Sequence, residues 1–198
     1  ASSLEELVSK LDAPRMVWVM VPSGDATTQT VEKLGELLEP GDTIIDGGNS
    51  RWSDDKARSA KLEPTGIKYV DVGTSGGVWG LQEGYCMMAG GPDESIAQLT
   101  PILDVLAPPF SEQHGPGWGH MGPVGAGHYV KMVHNGVEYA LMQSYAEGFN
   151  LFDACEYDLD NAKIAHLWMQ GSVVRSWLCE LAALAFEQEG NDLSALEP

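Results

Sequence analysis

The sequence predicts an α/β chain that gives way to an all-α region. Three observations carry this reading. Three short apolar runs, "MVWVMV" (16–21), "TIID" (43–46) and "IKYVDV" (67–72), alternate with helical patterns. Each run stops in a glycine-containing turn, "PSG", "GGNS" or "GTSGG". From Val124 to about Ala154 a long, proline-free helical pattern takes over. Short runs that are apolar throughout fit strands buried on both faces. Strand–helix repeats at this spacing build parallel sheets with right-handed crossovers.

The elements follow in order. "SLEELVSKL" (Ser3–Leu11) places apolar residues at helical spacing, with Ser3 as N-cap and Glu6 three residues later. Pro14 ends it. The strand Met16–Val21 stops at Pro22-Ser23-Gly24, and a helix from about Thr28 to Leu38 closes at Pro40-Gly41. The strand Thr43–Asp46 stops at Gly47-Gly48-Asn49-Ser50. A helix from about Ser53 carries Asp54 and Asp55 in its first turn, where the helix dipole favours acids. The third strand, Ile67–Val72, stops at Gly73-Thr74-Ser75-Gly76-Gly77. In such sheets ligands sit beyond the carboxyl ends of the strands. Three glycine turns along that edge predict a backbone-lined floor, where N–H groups can approach phosphates and other oxyanions.

A dinucleotide-binding sheet should open with a strand followed by GxGxxG. The one match, Gly117 to Gly122, follows "PPFSEQHGP", which is no buried strand, so it is not read as the fingerprint. The start "ASSLEELVSK", without an initiator Met, reads as the interior of a longer protein. The expected fold is therefore a partial Rossmann-like parallel sheet over residues 1–122, followed by an all-α domain over 123–198 opened by the long helix. A second helical region runs from Asp160 to about Gln188, broken near Gly171. The tail "EGNDLSALEP" reads as a helix end and loop.

Composition narrows the function classes. The 198 residues are 43% apolar, enough for a true core. With 29 acids against 11 bases, the net charge of −18 argues against a general nucleic-acid binder. No run is long enough to span a membrane, and no signal-peptide pattern opens the chain. Cys86, Cys155 and Cys179 form no CxxC or Cys/His cluster, so neither a metal site nor a disulfide framework is expected. They are read as buried or half-buried thiols in a reducing cytosol.

Within the long helix, "KMVHNGVE" (131–138) places Lys131, His134, Asn135 and Glu138 at i, i+3, i+4 and i+7. At about 100° per residue they share one stripe, with Tyr139 at its edge. Two readings stand. The stripe is a solvated face, or it is a cleft wall. In a cleft, a lysine in low-dielectric surroundings can act as a base, a glutamate as an acid, and His and Asn can orient a polyhydroxy substrate.

The context "GAGHYVKMVHNGVEYALMQSYAEGF" closely resembles the active-site helix of the 6-phosphogluconate dehydrogenases. "IIDGGNSRWSDDKAR" and "VDVGTSGGVWGLQEGYCMMAGG" resemble that family's other two signature stretches. "GTSGGVWGL" and "GSVVRSW" resemble its short, often NAD-using branch. The resemblance implies an NAD(P)-dependent oxidative decarboxylation of 6-phosphogluconate in the pentose phosphate pathway, with NAD slightly favoured and no metal. It implies Lys131 as general base and Glu138 as the acid that protonates the enol. Asn49, Ser75, Gly76, Gly77, His134, Asn135 and Tyr139 would bind the sugar-acid phosphate. Val21, Pro22 and Asn49 would lie beside the cofactor. It also implies a cytoplasmic homodimer or larger assembly of the full-length protein. Arg175 is read as a helix-surface arginine rather than a phosphate ligand. The rivals are a 3-hydroxyisobutyrate-type dehydrogenase, which typically carries Asn where His134 stands, and a non-catalytic sugar-phosphate-binding fragment.

Overall fold

The computed structural model describes residues 1–191 and Leu193. The chain divides into two compact units, Ala1–His134 and Asn135 onward.

The first unit opens with α1 (Leu4–Ser9), where the Ser3 side chain accepts from the Glu6 N–H at 3.2 Å, as the capping pattern predicts. There follow β1 (Met16–Val19), α2 (Asp25–Leu37), β2 (Thr43–Asp46), α3 (Trp52–Leu62) and β3 (Lys68–Ser75). The strands β1, β2 and β3 are parallel neighbours, and Val19, Asp46 and Asp71 lie level across them. The alternating side chains of β2 show why both faces are apolar. Ile44 joins a core with Val17, Val19, Val31, Leu34 and Tyr69. Its neighbour Ile45 joins the opposite core with Val70, Val72, Met87, Leu99 and Leu103.

The sheet does not stay parallel. β3 runs on through Gly73-Thr74-Ser75, which the sequence reads as a turn, because β4 (Cys86–Gly90) pairs antiparallel with it from Asp71 to Ser75. The turn starts at Gly76 instead. A short helix, α4 (Gly80–Glu83), precedes β4, and α5 (Asp93–Leu106) follows it. β5 (Trp118–Gly122) then pairs parallel with β4. The GxGxxG match is thus itself a strand. The result is a mixed five-stranded sheet in the order β1-β2-β3-β4-β5.

α6 (Ala126–Asp153) starts in the first unit and continues into the second. The two compact units divide inside this helix, between His134 and Asn135. Its first turns pack closely on the first unit: a Cβ on Gly127 would lie 2.3 Å from the Met88 carbonyl oxygen. The second unit adds α7 (Asn161–Trp168) and α8 (Trp177–Glu189), separated at Gly171 as expected. Asp160 caps α7 through the Lys163 N–H, and Ser176 caps α8 through the Cys179 N–H. Phe149, Ala165, Ala183 and Phe186 form its core. Arg175 lies in the exposed turn before α8, not on a helix. The tail beyond Leu193 lies outside the described residues. Cys86 and Cys155 are exposed and only Cys179 is buried, against the expectation of three sheltered thiols. Among the described residues no helix is long and apolar enough to cross a membrane.

Candidate active site

At the carboxyl ends of β1 and β2, two loops meet. Val21 is half-buried and Pro22 exposed. The Val21 carbonyl sits against Gly48, where an added Cβ would come within 3.4 Å of it. Asp46, the last residue of β2, takes the Gly48 N–H at 3.0 Å, which turns the chain so that Asn49 is exposed. At the end of β3, Gly76 and Gly77 have φ of 139° and 52°, backbone that L side chains rarely adopt.

α6 crosses β3 at Gly73. A Cβ there would lie 2.4 Å from the Lys131 Cβ, so glycine is what lets the lysine stem approach the strand. Lys131 Nζ lies 3.3 Å from His134 Nδ1, and His134 Nε2 lies 3.3 Å from Ser75 Oγ. Either ring nitrogen of His134 can donate or accept in these contacts, depending on the tautomer. Sequence-predicted residues from a strand end and from a helix thus form one chain of contacts within the first unit. Asn135, Glu138 and Tyr139 belong to the second unit. Asn135 and Glu138 are half-buried, and Tyr139 is exposed.

The accessibility along α6 reverses that of a solvated polar stripe. Lys131, His134, Asn135 and Glu138 are half-buried. The apolar Met132, Val133 and Val137 are exposed at 48%, 48% and 56%.

Beneath these loops lies a buried polar network that the sequence reading does not single out. Arg58 Nη1 donates to Asp46 Oδ2 at 3.0 Å and lies 3.7 Å from Asp55 Oδ1. Tyr69 Oη lies 3.2 Å from Asp46 and 3.1 Å from Asp55. His128 Nδ1 lies 2.7 Å from Asp55 Oδ2, and its Nε2 lies 3.0 Å from the Gly48 carbonyl. Asp46, Asp55 and His128 bring ligand atoms within 4.8 Å of one another. A cation of the protein, Arg58, already sits against this cluster. The sequence signal was present: aspartates within or at the end of apolar strands, where unpaired charges are costly.

Asp71 ties the start of α6 to the sheet. Its two oxygens accept from Gly125 N at 2.6 Å and from His128 N at 2.8 Å, satisfying orphan donors at a helix N-terminus. An amide offers one acceptor oxygen to these two donors. Asp71→Asn is therefore expected to cost about 1–3 kcal/mol, read as a lower urea midpoint; an unchanged midpoint would refute the anchor. Burial raises the Asp71 carboxyl to about 6, against the two N–H bonds that lower it. Its folded value thus exceeds its unfolded one. The linked stability is present below pH about 4 and is lost as pH rises through about 6. The amide variant should lack that slope.

Residues 1–115 match the model of the NAD binding domain of 6-phosphogluconate dehydrogenase, and residues 127–155 match that of its C-terminal domain. The chain belongs to the 6-phosphogluconate dehydrogenase family. Within that family it is 46% identical, over its whole length, to the NAD(+)-dependent, decarboxylating 6-phosphogluconate dehydrogenase of Haloferax volcanii. It is 38% identical, over 96% of its length, to the decarboxylating enzyme of Lactococcus lactis subsp. lactis. It spans 63% of the first relative and 40% of the second. Among solved structures, 94% of the chain overlays 40% of Plasmodium falciparum 6-phosphogluconate dehydrogenase, with a TM-score of 0.82 and 28% identity. Mycobacterium tuberculosis 3-hydroxyisobutyrate dehydrogenase shares the fold, with a TM-score of 0.72 and 23% identity, over 90% of this chain and 57% of that one.

Proposed function

We propose that the protein to which these residues belong oxidatively decarboxylates 6-phosphogluconate to ribulose 5-phosphate, with NAD or NADP as hydride acceptor. The observation that carries the reading is the Ser75–His134–Lys131 chain of contacts, which holds a candidate base on a wall at the carboxyl edge of the sheet.

Lys131, as the neutral amine, takes the proton of the substrate C3 hydroxyl. A bound nicotinamide would supply the hydride acceptor for C3. Lys131, now protonated, polarises the C3 carbonyl and gives it the proton while the β-keto acid loses carbon dioxide; Glu138 then protonates the enol at the carbon that carried the carboxylate, which becomes C1 of the pentulose, as Lys131 takes back the enol proton. Ser75, Gly76, Gly77, His134, Asn135 and Tyr139 are assigned to the sugar-acid phosphate. The loop at Val21 and Pro22, with Asn49, is assigned to the nicotinamide side. NAD is slightly favoured over NADP. Residues 1–122 are assigned to a partial dinucleotide-binding domain and 123–198 to the start of the helical domain. A cytoplasmic location, a homo-oligomeric assembly and the pentose phosphate pathway rest on the family membership.

The test is reduction of NAD and of NADP with 6-phosphogluconate, followed by nicotinamide absorbance, for the native chain and for Lys131→Met. Loss of a general base should lower turnover by about 10²–10⁴-fold. Equal turnover in the variant would remove Lys131 from the mechanism. A second reading is a non-catalytic sugar-phosphate-binding module. Saturable binding of 6-phosphogluconate without turnover would select it.

A further inference from the structure

The network beneath the loops contains a histidine that the proposed mechanism does not use. We propose that His128 is a positioning residue: an imidazolium that grips Asp55 with one ring nitrogen and the Gly48 carbonyl with the other, holding Asn49 in register with Lys131. The inference rests on the reading above for the roles of Asn49 and Lys131.

The protonation follows from the partners. His128 is 2% exposed, so its ring nitrogens are satisfied within the protein. A carbonyl oxygen only accepts, so Nε2, 3.0 Å from the Gly48 oxygen, carries a proton. Nδ1 faces Asp55 Oδ2 at 2.7 Å. The other Asp55 oxygen faces the Tyr69 hydroxyl at 3.1 Å and the Arg58 guanidinium at 3.7 Å. Both neighbours favour a carboxylate there, so Nδ1 carries a proton as well. Charge balance agrees. The ring is faced by Asp55 and Arg58 from α3, Asp46 from β2, and Asp71 and Tyr69 from β3. Three carboxylates then meet one fixed cation, and the imidazolium supplies a second. Burial works against that charge, but the Asp55 hydrogen bond and the nearby carboxylates outweigh it and raise the affinity of His128 for its proton.

The positioning follows from the chain. Asp46 holds the Gly48 N–H and His128 holds the Gly48 carbonyl, so the peptide groups on both sides of Gly48 are pinned. Asn49 comes next. On the helix side, the His128 N–H is fixed by Asp71, and Lys131 follows one turn later. One side chain thus joins the loop that carries Asn49 to the helix that carries the base.

Two neutral variants separate positioning from bulk structure. In His128→Gln the amide nitrogen stands near Nε2 and can still donate to Gly48. In His128→Asn it stands near Nδ1, reaches Asp55 and leaves the carbonyl unheld. In the native full chain, nitrogen NMR should show both His128 ring nitrogens protonated at neutral pH. The Asn49 amide resonance should move in His128→Asn and stay near its native position in His128→Gln. Turnover should fall by about 10²-fold in His128→Asn, the effect of a small misplacement, with KM little changed. His128→Gln should keep most of it. An unprotonated ring nitrogen, or an Asn49 resonance unmoved in His128→Asn, overturns the inference. So does an equal loss of turnover in both variants. A native chain that shows the NMR signatures but no turnover contradicts the proposed function alone.

Discussion

Replacing Arg58 by methionine is expected to destabilise the first unit by about 3–5 kcal/mol, the cost of leaving buried charges without their partner. Arg58 is 3% exposed and reaches Asp46, Asp55, Thr28 Oγ1 and the Gly24 carbonyl. Its guanidinium stays charged at any working pH, so it is the fixed counter-charge of the network. Without it, Asp46 and Asp55 face each other across a water-poor space with only His128 to offset them. The measurement is urea denaturation at neutral pH. A loss under about 1 kcal/mol, the range of exposed pairs, would show that water reaches the network and that it is not a true interior charge cluster. The exposed pair Lys61–Glu32, at 2.7 Å, is the natural control, and Lys61→Ala should leave the midpoint where it was.

The second large effect concerns Gly127. Alanine is the better helix former by about 1 kcal/mol, so propensity alone predicts stabilisation. Packing predicts the reverse. The new Cβ would stand 2.3 Å from the Met88 carbonyl oxygen and 2.8 Å from that of Asp71. Both belong to paired strands and cannot rotate away, so α6 must move. Overpacking of this kind costs about 1–3 kcal/mol, and Lys131 and His134 would be carried away from Ser75. Gly136, on the same helix, has nothing within 4 Å of its would-be Cβ. There the same substitution should stabilise by up to about 1 kcal/mol. Opposite signs for Gly127→Ala and Gly136→Ala in thermal melts would establish the close helix–strand contact. Matching signs would dismiss it.

Much of this was legible in the residues. β1, β2 and the body of β3 announce themselves as apolar runs ended by glycine, and Ser3 with Glu6 marks a helix start. β4 and β5 do not. "CMMAG" is five residues without alternation. "WGHMG" follows Gly117, which packs against Pro108, and holds Gly119 against the Met121 side chain, contacts that exist only in three dimensions. α5 hides behind Pro101 in its middle. Antiparallel pairing of β4 extends β3 over Gly73 and Ser75, and no local pattern announces a partner that arrives later in the chain. The Lys131, His134 and Ser75 contacts were foreshadowed because one helical stripe and one loop suffice to name them. The network around Asp55 draws on two strands and two helices, and its members share no spacing that a linear reading could pick out.

The order of the sheet has a further consequence, for how the chain is made. Among the described residues, every strand after β1 lies beside the strand that precedes it in the sequence. None has to be inserted between two already paired, and no connection has to cross another on the way. These five strands can therefore pair one after another, in the order of the sequence. Each meets the edge left by the one before it, and α6, which follows β5, packs against β3 and β4 once they are paired.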